Sequence, residues 1–460
     1  MKLTVIGGGG VRSPFLAKSI ACHADKIDLT EVCFLDIDEN HLNTYGKIAK
    51  HVFKFLKPEI KFTLTTDKLS ALSNADYVIT TIRVGGENGR VQDELIALKH
   101  KVLGQETTGV GGFAMASRSI PAILEYCKLI EQVSSPNAIL FNFTNPSGLV
   151  TEAIIKSGFN RQVFGICDAP TEFIREVARM IDCSYDELSM DCYGLNHLSW
   201  FPTFQRKNQD VTLQILSDPR LYEQTSMKYF EPELTRLLND QFSNEYLYFY
   251  FYSDVALQAI LLSEQTRGQQ IKEINDRMFT KLKQMDAEVD IDKNIDNAFA
   301  VFYSHYLERE NSYMKSESAK DKSIQKPLIS FKEFLAVPDD SGYAGVAVDI
   351  IQALKGEQER RVIVSVKNEG ALDFLYDDDV VEISCLASKK GIKPVHYKDI
   401  PDTQKNLISK VKEYERLAVD AILHQDKQKA IKALMVHPLV NSYSIAKSLI
   451  EDYELFPNTK

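Results

Sequence analysis

Among the seven cysteines and nine histidines of this 460-residue sequence, one of each stands at the end of a separate element in a position to ligate a transition metal. Cys167 comes directly after Val163–Ile166, in Cys167-Asp168-Ala169-Pro170, and His197 stands about thirty residues on, in Tyr193-Gly194-Leu195-Asn196-His197-Leu198-Ser199-Trp200. A thiolate and an imidazole from separate elements can hold a borderline divalent ion and leave positions open for substrate oxygens. Spacing alone proves little, because a lone cysteine at a strand end is more often a small buried residue and a single histidine more often a packing or surface one.

A second chemistry is written at the N-terminus. The run Leu3–Ile6 passes into Gly7, Gly8, Gly9 and Gly10, then Val11, Arg12, Ser13 and Pro14. Glycines let a backbone turn sharply against a pyrophosphate, whose charge then sits at the positive end of the following helix. Read from Gly8 as G-x-G-x-x-S, the motif makes Gly8, Gly10 and Ser13 cofactor-binding candidates, with Ser13 in place of the usual third glycine. The next run, Glu31–Leu35, ends in Asp36, where a carboxylate accepts from ribose hydroxyls and repels a 2′-phosphate, favouring NAD over NADP. A solvated carboxylate beside Asp38 and Glu39 is the plainer reading of Asp36. Two more runs end in polar residues: Tyr77–Ile82 leads to Arg83, and Ala138–Phe143 carries Asn142 and leads to Asn145 and Pro146. Ligands in open α/β sheets lie beyond the carboxyl ends of strands, so these ends should edge cofactor and substrate.

The elements that position these residues alternate β-like and helical through the first half. The expected strands are Leu3–Ile6, Glu31–Leu35, Lys61–Thr65, Tyr77–Ile82, Ala138–Phe143 and Val163–Ile166, with helices beginning near Pro14, Glu39, Leu69, Ile120 and Pro170. The pattern predicts an α/β fold, a Rossmann-type NAD-binding domain over residues 1–195. Beyond it the alternation weakens, with helical stretches at Thr266–Asp286 and Gln404–Ala433 and β-like patches at Arg361–Val366 and Val380–Ala387. This predicts a second, α+β domain over residues 196–460, to which the family resemblance described below assigns substrate binding and oligomerisation. Glu308–Gln325, rich in Lys, Ser and Glu, is expected to be a solvated loop or mobile connection.

Composition narrows the function. With 54 Lys plus Arg against 64 Asp plus Glu, and no long basic block, nucleic acid is a poor partner. No run approaches a membrane span, and the N-terminal apolar run is too short for a signal-peptide core, so a cytoplasmic protein is expected. Seven cysteines without a C-x-x-C pair argue for reduced thiols.

The strand-end Asn-Pro resembles that of lactate and malate dehydrogenases. A more specific resemblance is carried by Gly7–Pro14, Arg83–Glu94 (RVGGENGRVQDE), Gly104–Phe113 (GQETTGVGGF), Asn142–Gly148 (NFTNPSG), Gly165–Pro170 (GICDAP) and Gly194–Trp200 (GLNHLSW), and more weakly by Ala433–Leu439. In order and spacing these are similar to glycoside hydrolase family four, most of all its 6-phospho-β-glucosidases, the NAD-dependent exception to two-carboxylate glycoside hydrolysis. The resemblance implies Cys167 and His197 as ligands of Mn²⁺ or another divalent metal, Asn145 as a sugar contact near the nicotinamide, and Tyr246 as the catalytic base. Tyr248, Tyr250 and Tyr252 stand close enough to compete for that role. It also implies a phosphorylated glycoside as substrate, and a homodimer or homotetramer. The implied route takes a hydride from C3, removes the acidified C2 proton, expels the aglycone, adds water and returns the hydride. The base then needs its pKa lowered from about 10 by the nearby cation.

Two departures bear on specificity. Asp168 stands where phospho-β members commonly have Asn, as in phospho-α members, and could protonate an α-linked leaving group; this keeps a 6-phospho-α-glucosidase as the alternative. In Asp339–Gly345 the family's phosphate-side arginine is missing. The 6-phosphate is then expected at Arg83 with another basic residue, and Arg90 is either a substrate contact or a surface partner of Asp93 or Glu94. Rival readings are a lactate/malate-type dehydrogenase, which would accumulate NADH, and a non-enzymatic NAD sensor.

Overall fold

The computed structural model describes residues 1–320, 324–338, 344–356 and 359–456. Most of Asp339–Gly345, the segment lacking the family arginine, lies outside the described residues.

Six β-branched-rich or apolar runs form parallel strands: β1 (Lys2–Ile6), β2 (Glu31–Leu35), β3 (Lys61–Thr65), β4 (Tyr77–Thr80), β5 (Ile139–Asn142) and β6 (Gln162–Gly165). β4 and β5 are buried along their whole length, as expected of strands covered by helices on both faces. Their order is β3-β2-β1-β4-β5-β6, the dinucleotide-binding order, in which the reversal between β1 and β4 opens a crevice at the carboxyl edge. This is a Rossmann-type sheet with a second region built onto it.

That second region extends the same sheet. Arg360–Lys367 pairs antiparallel with Val380–Ser388 and meets β6 at Ser365 and Gly165; Gly391–Pro394 forms the edge. A small antiparallel sheet of Tyr193–Leu195, Leu198–Phe201 and Phe242–Ser243 leans on it, with the Cys192 amide donating to the Ser384 hydroxyl at 2.9 Å. Helices Arg267–Glu288 and Ile295–Asn311 pack on the first half through a separate apolar cluster, in which Tyr45, Ile48 and Val52 meet Met278, Leu282, Phe299 and Phe302.

Some helices depart from expectation. The helix expected near Ile120 runs from Gly109 to Val133. Its glycine-rich start hides it in sequence, yet glycine is required there: a Cβ on Gly111 would lie 2.3 Å from the Gln105 carbonyl oxygen. Gln404–Ala433 is two helices, broken where Gln425 turns left-handed (φ 55°) and Asp426 caps the second. Glu308–Gln325 is not a solvated loop over its described part. Its first residues end the helix Ile295–Asn311, and Met314 and Glu317 are buried beneath a polar exterior.

The helix Asp402–His424 is tied to the helix after β5, Ser147–Lys156, by buried charges. Lys412, fully buried, donates to Glu152 at 2.7 Å and pairs with Glu415, while Lys156 takes the other Glu152 oxygen at 2.7 Å. Lys412→Met strands these carboxylates with one cation in place of two. It is expected to destabilise the protein by about 3–5 kcal/mol in urea unfolding.

Candidate active site

β1 delivers the chain into Gly7, whose φ of +100° a side chain would rarely adopt, and where a Cβ would sit 2.5 Å from the Thr81 carbonyl oxygen. Backbone amides of Gly7 and Gly8 donate to the Leu35 carbonyl at 2.8 and 2.9 Å, locking the turn to the end of β2. One Asp36 oxygen then accepts from the Gly9 amide at 2.8 Å and the other from Asp38 at 3.0 Å. A carboxylate has further acceptor sites, and Asp36 lines a cavity of about 1000 Å³. Gly10 and Ser13 line it too, Ser13 as the first residue of a helix with Pro14 in its opening turn. Gly8 does not; it packs against Phe34 behind the turn.

Asn142 also requires correction as a cofactor contact. It is fully buried at the end of β5, where its amide oxygen accepts from the Thr80 hydroxyl and the Thr144 amide. Its amide nitrogen donates to Thr151 at 3.1 Å and to the Ser147 and Thr144 carbonyls. Every polar atom is engaged in shaping the following turn, and it is Asn145, three residues on, that lines the cavity.

On the wall of this cavity Cys167 and His197 meet, with Sγ 3.4 Å from Nε2. Cys167 follows β6 as the chain leaves the sheet, and His197 sits in the tight turn between Tyr193–Leu195 and Leu198–Phe201 with φ 63°, a left-handed conformation uncommon for a non-glycine residue. Ligand bonds of about 2.3 Å to sulfur and about 2.0–2.1 Å to nitrogen on one ion place the two donors about 3.4 Å apart at a bond angle of roughly 100°. The pair therefore fits a shared metal ion, with the remaining positions open to the cavity. Burial pushes the imidazole down to about 3, leaving it neutral as a ligand must be. Burial, then the Glu382 and Asp168 carboxylates, push the Cys167 thiol well up. That surrounding negative charge is the field a cation would satisfy.

Tyr246 lies flat on His197, ring centroids 3.8 Å apart and planes 11° from parallel. Of the four neighbouring tyrosines it alone lines the cavity. Tyr248 donates to the Glu317 carbonyl, Tyr252 accepts from the Glu231 amide, and Tyr250 lies beside His437. Burial and then Glu245 push the Tyr246 phenol well above its usual value, so the chain by itself opposes the acidity expected of a base. Asp168, whose side chain is 41% exposed, accepts from Arg12 at 3.4 Å, joining this corner to the glycine loop.

Arg83 and Arg90 both line the cavity and both pair with Glu106, Arg90 at 2.8 Å. Arg90 also donates to Glu94 at 2.9 Å in a buried pair, not a surface one; Asp93 pairs with Arg118 instead. The two arginines hold the Glu106 carboxyl far below its usual range against burial. Arg309, also on the cavity wall, makes no ion pair among the described residues.

Sequence reasoning assigned no role to Glu106, Thr107, Arg309 or Glu382. Glu106 and Thr107 stand inside GQETTGVGGF, but nothing in spacing tells which side chain faces which site. Glu382 had a signal, a charge within the apolar strand Val380–Ser388. There it accepts from Asn196 at 2.9 Å and Ser199 at 3.1 Å, its carboxyl pushed up to about 7 by burial.

A family model described as Family 4 glycosyl hydrolase matches residues 2–183, and one described as Family 4 glycosyl hydrolase C-terminal domain matches residues 192–440. A probable 6-phospho-beta-glucosidase of Bacillus subtilis is 30% identical, covering 98% of this chain and 95% of its own. The 6-phospho-beta glucosidase structure from Thermotoga maritima, solved with manganese, NAD+ and glucose-6-phosphate, superposes with a TM-score of 0.78 at 29% identity over 99% of this chain and 98% of that one. A 6-phospho-alpha-glucosidase from gut microorganisms, in complex with NAD and glucose-6-phosphate, reaches a TM-score of 0.81 at 27% identity over 99% and 97%. With both halves matched and relatives aligned end to end, the chain belongs to glycosyl hydrolase family 4.

Proposed function

We propose that the protein hydrolyses 6-phospho-β-glucosides with NAD and a divalent metal, Mn²⁺ by likeness to its relatives, and that both cofactors are restored at each turnover. The observation carrying this reading is that Cys167, His197 and Tyr246 converge on the wall of the same cavity that the glycine loop and Asp36 line. Bound NAD⁺ would supply a reversible hydride acceptor for C3 of the sugar, and the metal a Lewis acid for the C3 oxygen.

The chain's own residues have distinct tasks. Gly9, Gly10 and the Ser13 helix start cradle the pyrophosphate, and Asp36 accepts from ribose hydroxyls. Cys167 and His197 hold the metal, and Asn145 orients the sugar. Tyr246 takes the C2 proton; since burial and Glu245 raise its phenol, the acidity must come from the cation beside it. Arg83 and Arg309 receive the 6-phosphate. Preference for the β anomer is supported by GQETTGVGGF and NFTNPSG, and by Asp168 being tied to Arg12, not presented as a free proton donor. The aspartate itself remains the feature favouring α-linked substrates.

A panel of α- and β-nitrophenyl glucosides and galactosides, with and without 6-phosphate, tests the reading in the presence of NAD⁺, Mn²⁺ and reductant. Fastest nitrophenol release is expected from the 6-phospho-β-glucoside without net NADH; accumulating NADH would indicate a dehydrogenase, and faster α cleavage would reassign Asp168. Cys167→Ser and His197→Ala are expected to lose Mn²⁺ binding and activity together. Tyr246→Phe is expected to keep NAD binding, measured by fluorescence titration, while turnover and solvent exchange of the C2 hydrogen fall by about 10²–10⁴-fold.

A further inference from the structure

We infer that Thr107, held by Gln105, is a positioning residue that fixes the tautomer of His197 and thereby sets metal affinity, an inference that rests on the metal role of Cys167 and His197 proposed above. Hydrogen-bond direction determines it. The Thr107 backbone amide, which can only donate, lies 2.7 Å from one polar atom of the Gln105 side chain, so that atom is the amide oxygen Oε1. The same oxygen lies 3.0 Å from Thr107 Oγ1. An oxygen that carries no hydrogen must accept, so the Thr107 hydroxyl hydrogen points at Gln105. Thr107 Oγ1 is then left as an acceptor toward His197 Nδ1, 2.8 Å away. Nδ1 therefore carries the imidazole proton, and Nε2 presents its lone pair toward Cys167 Sγ at 3.4 Å.

Every link is held in place. Thr107 is buried, and so is His197. The segment is pinned from below by Gly111, against the Gln105 carbonyl, and from beside by Glu106, gripped by Arg83 and Arg90. Without the Thr107 acceptor, the buried imidazole loses the reason to keep its proton on Nδ1, and the tautomer that blocks the metal position becomes populated.

The test compares Thr107→Val, which keeps shape and removes the acceptor, with Thr107→Ser, which keeps the acceptor, and with Gln105→Leu, which frees the hydroxyl to donate. Mn²⁺ affinity of the purified protein is measured by electron paramagnetic resonance titration, and the His197 tautomer by ¹⁵N resonances of the metal-free protein. Thr107→Val and Gln105→Leu are expected to weaken Mn²⁺ by about 10–100-fold, with the His197 proton shifting toward Nε2, and Thr107→Ser to restore both. Wild-type Mn²⁺ affinity in folded Thr107→Val overturns the inference, as does an unchanged tautomer. His197→Ala is the control: if it binds Mn²⁺ as tightly as wild type, the metal reading itself has failed, a result distinct from failure of the Thr107 role.

Discussion

A thiol and an imidazole from two separate elements meet 3.4 Å apart beyond the carboxyl end of a parallel strand, and the contacts around them depend on that meeting. Cys167 is placed by β6 alone. His197 is not part of the sheet, and its hairpin has to be carried there. Glu382 does this from the antiparallel extension, accepting from Asn196 and Ser199 on either side of the histidine. From the opposite side, Asn196 accepts from the Gly148 amide at the start of the helix after β5, at 3.4 Å. A buried carboxylate here is costly unless satisfied, which accounts for two side-chain donors converging on it.

The cavity wall carries fixed charges of both signs. Beside the thiol stand the Glu382 and Asp168 carboxylates; burial and then these two push the Cys167 thiol up, and burial and then Glu245 push the Tyr246 phenol up. Toward Arg83, Arg90 and Arg309 the fixed charges are guanidinium groups with Glu106 as internal counterion. With its phenol raised in this way, Tyr246 could serve as the proposed base only with a cation beside it.

Much of this was legible in the chain. The six parallel strands are short apolar runs that end in polar residues, and periodicity finds them to within a residue or two. The glycine loop, Asp36, Cys167 and His197 stand at predicted element ends, Tyr246 was named only by the family resemblance, and the structure gathers them around one cavity. What was not legible depends on side-chain direction. Asn142 and Asn145 belong to the same strand end, yet one closes the turn and the other faces the cavity. Arg90 reads as a surface residue because its partner Glu94 is one helical turn away, whereas burial comes from Glu106, supplied by another segment. The Gly109 helix start is masked by glycines whose purpose, close approach to residues 105–107, exists only in three dimensions.

The central claim is that bond cleavage depends on a dinucleotide and a metal acting together at this one cavity. Stripping purified enzyme of dinucleotide, chelating its metal and adding each back separately tests it most directly. The account predicts no cleavage of the preferred phosphoglycoside until both NAD⁺ and Mn²⁺ are restored. Full-rate cleavage by the stripped and chelated protein would contradict it.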